Sequence, residues 1–420
     1  MHGTRARPAI PYVADFVGAF KRNLRIVTQA DLQPAWWTSR ADHGTLLFSE
    51  DDLRSYTRVI EQLIGEFARA GDLSRRSVER YLLDTLFEAL DLRGRSPDTF
   101  EKRLLRAVAD LRKHLTKEPV EWLFYLPVEG FSPEELPLLF GRVRFLVFGK
   151  AQLQGLRRKA IRRDQFGGAP IGQLSNRPCA AVRVMARDYE SAEATARRDV
   201  HLALDCLNFL GGTFPYNHAW LRLPGGPGQG VNQFTAGVAS DGSGGVSMSV
   251  AGSLGHFALK ALQSDRRSVR RIRSLGTLLR LPRSKRRTVG EVLLASVASA
   301  GRAAAEPSRE LSFLLYAIGL EAAVLPEKGE GLAYRLSVRV ARLLGDGPQK
   351  RETLRRRMAE LYRVRSDIVH NASYEVAEKD LRLLRSVTTE VLLRLLRRRS
   401  LWSMKHKTLE DEFKRTEMGR

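Results

Sequence analysis

Apolar residues in the first third of the chain recur with the period of an α-helix. They fall at i, i+3, i+4 and i+7 within residues 52–69, 74–92 and 97–115, as Leu82 and Leu86 illustrate. This spacing places the apolar side chains on one face of each helix, where they can pack together. The pattern predicts three amphipathic helices.

The period changes after residue 119. Short apolar runs bounded by Gly, Pro or Asp occupy residues 122–128, 142–148 and 181–186, which is typical of strands. A long helical pattern then begins after Asp188, whose side chain can cap it, and ends at the glycine pair 211–212. The first half of the chain is therefore expected to be α+β.

The middle of the chain carries two contrasting compositions. Residues 223–245 are so rich in Gly, Pro and Ser that they indicate a loop or linker, with a hairpin as one option. No Gly-Lys-Ser/Thr sequence follows this segment, so we do not expect it to bind phosphate. Residues 266–287 hold ten Arg or Lys and no acid, and their apolar positions predict an amphipathic helix with a cationic face.

The C-terminal region has the most regular pattern. Helices are predicted at residues 308–326, 331–344, about 352–370 and about 375–398. Four helices joined by short loops indicate a small bundle. The last twenty residues are polar and charged, and we expect them to be frayed.

These patterns predict a mostly α fold with an α+β N-terminal region and a C-terminal four-helix bundle. The expected divisions are an α+β domain at 1–215, a Gly-rich linker with a basic helical segment at 216–305, the bundle at 306–400 and a flexible tail at 401–420.

Composition excludes several classes of protein. With 420 residues and 43% hydrophobic residues, the chain can bury a sizeable core, so it is not mainly disordered. Two cysteines, Cys179 and Cys206, are too few for a disulfide framework or a paired zinc motif. Charges interrupt every apolar run before the roughly 18 residues of a membrane span. A cytoplasmic protein without a membrane segment is expected.

Charge suggests a partner. The chain has 70 Lys and Arg against 47 Asp and Glu, a net charge of +23, which attracts polyanions such as nucleic acid. A GC-rich coding sequence would also enrich arginine, and a charged run is often only a solvated face. We predict contact with RNA at two basic clusters; their residues are Arg266, Arg267, Arg270 and Arg271 in the first, and Arg157, Arg158 and Lys159 in the second.

One segment combines residues suited to chemistry. Arg365 and His370 lie near the end of the third predicted bundle helix, with Ser366, Asp367 and Asn371 beside them. An imidazole can remove and return a proton near neutral pH, and a guanidinium offers a charged planar fork to phosphoryl oxygens. This pair could cleave RNA without a metal, because the 2′-hydroxyl supplies the nucleophile.

Residues 306–400 resemble the HEPN superfamily, and within it the Apea-like HEPN domains. The segments that carry the resemblance are LYAIGLEAAV, YRLSVRVARLL, LYRVRSDIVHN and the leucine-rich fourth helix. The resemblance implies a HEPN-type four-helix bundle and a metal-independent endoribonuclease of toxin or anti-phage systems. It also implies a homodimer without a cofactor, and Arg365 and His370 as the catalytic pair.

Two positions depart from the family pattern. Ser366 stands where Asn, Asp or His often follows the motif arginine, and Asn371 stands where glycine is common. We assign Ser366, Asp367 and Asn371 only a supporting role. Some members of the family bind RNA without cutting it.

Helical geometry separates the two motif residues. At about 100° per residue, Arg365 and His370 lie about 140° apart around an ideal helix, so a second copy of the chain would be needed to bring four side chains together. The alternative is that Arg365 pairs with Glu360 or Asp367 while His370 only caps the helix.

Glu321 is a further candidate. It interrupts the apolar run of the first bundle helix, and a carboxylate there needs a partner such as Arg335 or Arg339. That pair would either orient the motif or serve only the fold.

The leading hypothesis is a dimeric ribonuclease whose N-terminal region senses a trigger or restrains the site, with a phage-derived or antitoxin regulator as a further partner. The alternatives are a binding module for RNA or protein and a helical scaffold.

Overall fold

The computed structural model describes most of the chain. The described residues are 10–23, 36–40, 44–48, 50–67, 73–90, 98–151, 153–154, 175–214, 220–223, 231–239, 244–250, 257–281, 288–325, 331–371 and 375–417. They divide into two compact units. The first comprises residues 1–122, 184–195 and 239–243, and the second comprises 123–183, 196–238 and 244–420.

Both helices and strands occur up to residue 250, and the described elements after it are helices. The earlier elements are α1 (Pro11–Asn23), β1 (Trp36–Arg40), β2 (Gly44–Phe48), α2 (Glu50–Phe67), α3 (Arg75–Leu90), α4 (Phe100–Leu115), β3 (Val120–Pro127), β4 (Leu138–Phe140), β5 (Val143–Val147), β6 (Pro178–Ala186), α5 (Tyr189–Gly211), β7 (Val231–Ala239) and β8 (Gly244–Val250). The later elements are α6 (Leu259–Ser264), α7 (Arg266–Arg280), α8 (Val289–Ala305), α9 (Arg309–Val324), α10 (Leu332–Leu344), α11 (Pro348–Asn371), α12 (Glu378–Arg397) and α13 (His406–Glu417).

The first unit is built on helices α1 to α4. Their apolar faces form one core, in which Leu63, Leu82, Val108 and Leu115 are fully buried. α3 and α4 pack closely against each other, and α1 contacts α2, α3 and α4. The predicted helices at 52–69, 74–92 and 97–115 are confirmed within a few residues at each end.

Six strands of the described segments form one sheet in the order β4-β5-β6-β3-β7-β8. The β4–β5, β5–β6 and β7–β8 pairs are antiparallel. Alternate side chains such as Phe124, Phe145 and Val182 are buried on one face. The predicted strands at 122–128 and 181–186 correspond to β3 and β6, and the hairpin considered for the Gly-rich segment is present as β7 and β8.

α5 begins where Asp188 was expected to cap it. Oδ1 of Asp188 accepts a hydrogen bond from the backbone N–H of Ser191 at 2.9 Å. Farther along, α5 crosses α8 so closely that a Cβ on Gly301 would lie 1.8 Å from the carbonyl oxygen of Asp205. At the same crossing Nε of Arg302 donates to Oδ2 of Asp205 at 2.7 Å.

The second unit contains the four predicted bundle helices as α9 to α12, and it contains a helix that we did not predict. α8 starts with a complete capping box, in which Thr288 and Glu291 bond each other's backbone N–H groups. It packs along α9, where Ser299 donates to the carbonyl of Leu315 at 2.8 Å. The bundle therefore begins before residue 306. The fold is mostly helical, as expected, and it also contains the sheet described above.

The tail differs from the frayed segment that we expected. Residues 406–417 form α13, which contacts α8 and α10 and buries Leu409, Glu410 and Phe413. Oε1 of Glu410 accepts from Arg339 at 2.6 Å and from Arg335 at 2.8 Å. A buried carboxylate between two arginines ties this helix to α10.

None of the described helices has a stretch of apolar residues long enough to cross a bilayer.

Candidate functional site

The motif lies in the last two turns of α11, the longest described helix. Gly347, immediately before it, has φ of 109°, a conformation that residues with a Cβ rarely adopt. Pro348 then opens the helix at a position where its missing N–H costs nothing. The helix runs without interruption to Asn371, so Arg365 and His370 share one rigid element.

Arg365 faces α9. Its Nε lies 3.2 Å from Oε1 of Glu321, and the two side chains are 27% and 21% exposed. The Nε–H is buried and is not aligned for a hydrogen bond with any described group. Because Nε itself is shielded, the exposed part of Arg365 lies elsewhere on the side chain. The guanidinium of Arg365 also lies 6.0 Å from the centre of the Tyr362 ring.

Burial controls the charge of Glu321. It raises the pKa of the carboxyl, and the nearby positive charge of Arg365 opposes that rise.

Two expectations about these partners are wrong. Glu321 was expected to pair with Arg335 or Arg339, but both arginines bind Glu410 instead. Glu360, offered as a surface partner for Arg365, pairs with Arg357 at 2.9 Å.

The other motif residues differ in how exposed their side chains are. Ser366 and Asp367 are half-buried, whereas His370 is exposed in the last turn of α11. Asn371 is the last residue of the helix, and its side chain lies outside the described part of the structure. Because one side chain faces α9 and the other is exposed, one copy of the chain does not bring Arg365 and His370 onto a single face.

Exposed apolar side chains lie on the two helices that carry Glu321 and Arg365, and the sequence analysis did not single them out. On α9, Leu311 is 45% and Ile318 is 48% exposed, and on α11 Val369 is 52% exposed. Ile318 is three residues from Glu321 and Val369 is four residues from Arg365, so each lies one turn from its charged neighbour. The sequence signal that could have identified them is the presence of apolar residues on the outer face of α9, where an amphipathic helix would carry polar ones.

The first basic cluster lies on a helix, as predicted. α7 spans Arg266–Arg280, with Arg266, Arg267 and Arg270 exposed and Arg271 half-buried. The second cluster, Arg157, Arg158 and Lys159, lies outside the described residues.

Among the described residues, no group of three or more His, Cys, Asp or Glu side chains is arranged to hold a metal ion. No family model matches the chain, and comparisons with curated proteins and solved structures find no significant match. The candidate site therefore rests on its own residues.

Proposed function

We propose that the protein is a metal-independent endoribonuclease of HEPN type, acting in toxin or anti-phage defence. The observation that carries the proposal is the placement of Arg365. It is fixed by Glu321 on α9 yet partly exposed, five residues before an exposed His370 on the same helix. A positioned guanidinium and an accessible imidazole supply the groups that this chemistry needs.

In the proposed reaction, His370 takes the proton from a ribose 2′-hydroxyl. The 2′-oxygen then forms a bond to the adjacent phosphorus, and the bond from phosphorus to the 5′-oxygen breaks. A protonated imidazole returns a proton to the leaving 5′-oxygen, while Arg365 stabilises the charge on the phosphoryl oxygens. The products carry a 2′,3′-cyclic phosphate and a 5′-hydroxyl group.

The proposed active form is a homodimer. Arg365 and His370 point to different surroundings within one chain, so two copies related by a two-fold axis would bring four side chains together. The exposed Ile318 and Val369, each one turn from a member of the Glu321–Arg365 pair, are suited to a contact between copies.

The decisive experiment is an RNA cleavage assay in EDTA. We expect the wild-type chain to cut RNA, and His370→Ala or Arg365→Ala to lower the rate by about 100-fold or more. Both variants should remain folded, since neither side chain belongs to the apolar core. Full activity of a folded His370→Ala protein would refute the assignment.

A binding module that holds RNA or a protein without cutting is the second candidate. It is favoured by the ion pair itself, because Glu321 neutralises part of the Arg365 charge that a phosphorane would need. RNA binding without cleavage by the wild-type protein would select this candidate.

A further inference from the structure

A positively charged surface runs over α7 and onto the end of another helix. By helical geometry, Arg266, Arg270, Arg273 and Arg280 lie within an arc of about 80° on α7, which makes one stripe. All four are exposed. At the end of the stripe, Arg142 donates from Nη2 to the carbonyl of Arg280 at 3.1 Å, so a further exposed arginine extends it.

A second line of arginines borders α12. Arg267 and Arg271 lie about 100° and 140° around α7 from Arg266, on the flank that packs against α12. Nη2 of Arg399, just past the end of α12, donates to Oγ of Ser274 on α7 at 3.0 Å. Burial lowers the pKa of Arg271, and the positive charge of Arg397 lowers it further. Arginines from both helices are therefore close enough to repel one another.

The nearby carboxylates are already engaged. Oδ2 of Asp265 accepts from the backbone N–H and the hydroxyl of Ser268, at 2.8 and 2.7 Å. Glu390 pairs with Arg394 at 3.1 Å. Both acids also attract the half-buried Arg271, whereas the exposed stripe of Arg266, Arg270, Arg273 and Arg280 carries no acid of its own on α7.

This arrangement disfavours the helix that carries it. Arg266 and Arg270 are like charges one turn apart, and the Asp265 carboxylate that caps α7 is the one acid at its N-terminal end among the described residues 257–281, against five arginines between Arg266 and Arg273. A polyanion seated on the surface would relieve this repulsion.

We infer that α7 and the C-terminal end of α12 form one surface that binds the phosphate backbone of single-stranded RNA, using Arg266, Arg270, Arg273 and Arg397. Arginine donors spaced about 6 Å apart along a helix face can reach successive phosphates without reading bases. RNA as the polyanion rests on the proposed function. The surface uses none of the residues assigned to cleavage.

The test is binding of a fluorescein-labelled oligouridylate of about 20 nucleotides to the full chain carrying His370→Ala, which should not cut it. Anisotropy is measured between about 50 and 200 mM KCl. The variant is Arg270→Gln/Arg273→Gln/Arg397→Gln. The control, Arg356→Gln/Arg357→Gln/Arg382→Gln, removes the same charge from arginines that each face an acid on the same helix.

Each lost phosphate contact should flatten the slope of log affinity against log salt by about 0.7. The variant should therefore lose about 2 in slope and bind about 100-fold more weakly near 0.1 M salt, with little change in the control. Equal losses in the variant and the control would overturn the inference, as would binding to phosphatidylserine vesicles without binding to RNA.

The contribution of α12 is tested with a matched pair on that helix. Arg397→Gln alone should weaken binding about fivefold near 0.1 M salt, and Arg382→Gln should not. Equal effects would remove α12 from the surface.

Binding and cleavage can fail separately. Suppose that the triple variant has the same slope of log affinity against log salt as the unsubstituted surface, but wild-type protein cuts RNA in a His370-dependent way. The inference is then wrong and the proposed function stands. If the slope falls as expected but wild-type protein does not cut, the surface stands and the nuclease assignment is wrong.

Discussion

Arg365 forms an ion pair with Glu321 and is also proposed to bind phosphate, and these two roles can be separated by substitution. A lysine at this position could still pair with Glu321, but it lacks the planar fork that binds two phosphoryl oxygens. We expect Arg365→Lys to keep the thermal stability of the wild type and to cut RNA about tenfold or more slowly. Melting curves and single-turnover cleavage rates would measure the two properties.

Arg365→Ala provides the comparison for that variant. If Arg365 only supports the fold, lysine should restore both stability and cleavage relative to alanine. Full cleavage by Arg365→Lys would show that phosphate recognition does not need the guanidinium fork.

Asp205 gives a pH dependence with an uncommon sign. Burial raises its pKa to about 6 from an ordinary 3.8, although the charge of Arg302 opposes the rise. Between these two values the unfolded chain releases the proton while the folded chain retains it. Stability therefore falls as pH rises from about 4 to about 6, by about 3 kcal/mol in total.

Asp205→Asn should remove that dependence. Relative to the wild type, the free energy of unfolding of the variant should increase as pH rises through this window. The increase should level off above pH 6. Chemical denaturation at several pH values measures it. Parallel pH profiles for the two proteins would contradict the assignment.

At the residue level, the sequence identified Glu321 as a carboxylate that needs a cation but not which cation. Arg335 and Arg339 lie on α10, the next helix along the chain, whereas the actual partner, Arg365, lies one helix farther on, in α11. Partner choice follows from how α9 and α11 pack, which composition does not show.

Among the elements, α13 is joined to α10 by a buried ion pair. Glu410 is fully buried and Arg339 is 1% exposed, so removal of the carboxylate leaves a buried guanidinium without its counter-ion. We expect Glu410→Ala to cost about 3–5 kcal/mol of unfolding free energy. Asp411→Ala, which removes the neighbouring exposed carboxylate, should stay within about 0.5 kcal/mol. Denaturant titration compares them, and equal stabilities would mean that α13 is not fixed by this pair.

The elements show where sequence patterns succeed. Amphipathic helices such as α2 and α10 were predicted closely because their apolar spacing is regular. α8 was missed because it is rich in Ala, Ser and Gly, which pack at close crossings but give a weak pattern. α13 was missed because its charged composition conceals Leu409 and Phe413, one turn apart on its buried face.

For the whole molecule, assembly is the property that the proposed site requires. Ile318→Glu places a charge in the exposed apolar group beside Arg365, and we expect it to prevent dimerisation and to abolish cleavage while the monomer remains folded. Tyr334→Glu is the control, since Tyr334 is 64% exposed on α10. Sedimentation and the dependence of specific activity on dilution measure both. A monomer with full specific activity would eliminate the composite site.

The Arg339–Glu410 pair also has a consequence for synthesis. The two residues are 71 positions apart, and a ribosome makes the arginine first. Until the later segment has emerged, Arg339 lacks the Glu410 carboxylate, so burying its side chain by docking α10 carries a desolvation cost that this carboxylate later offsets. We therefore expect α10 to dock stably only after translation has passed residue 410.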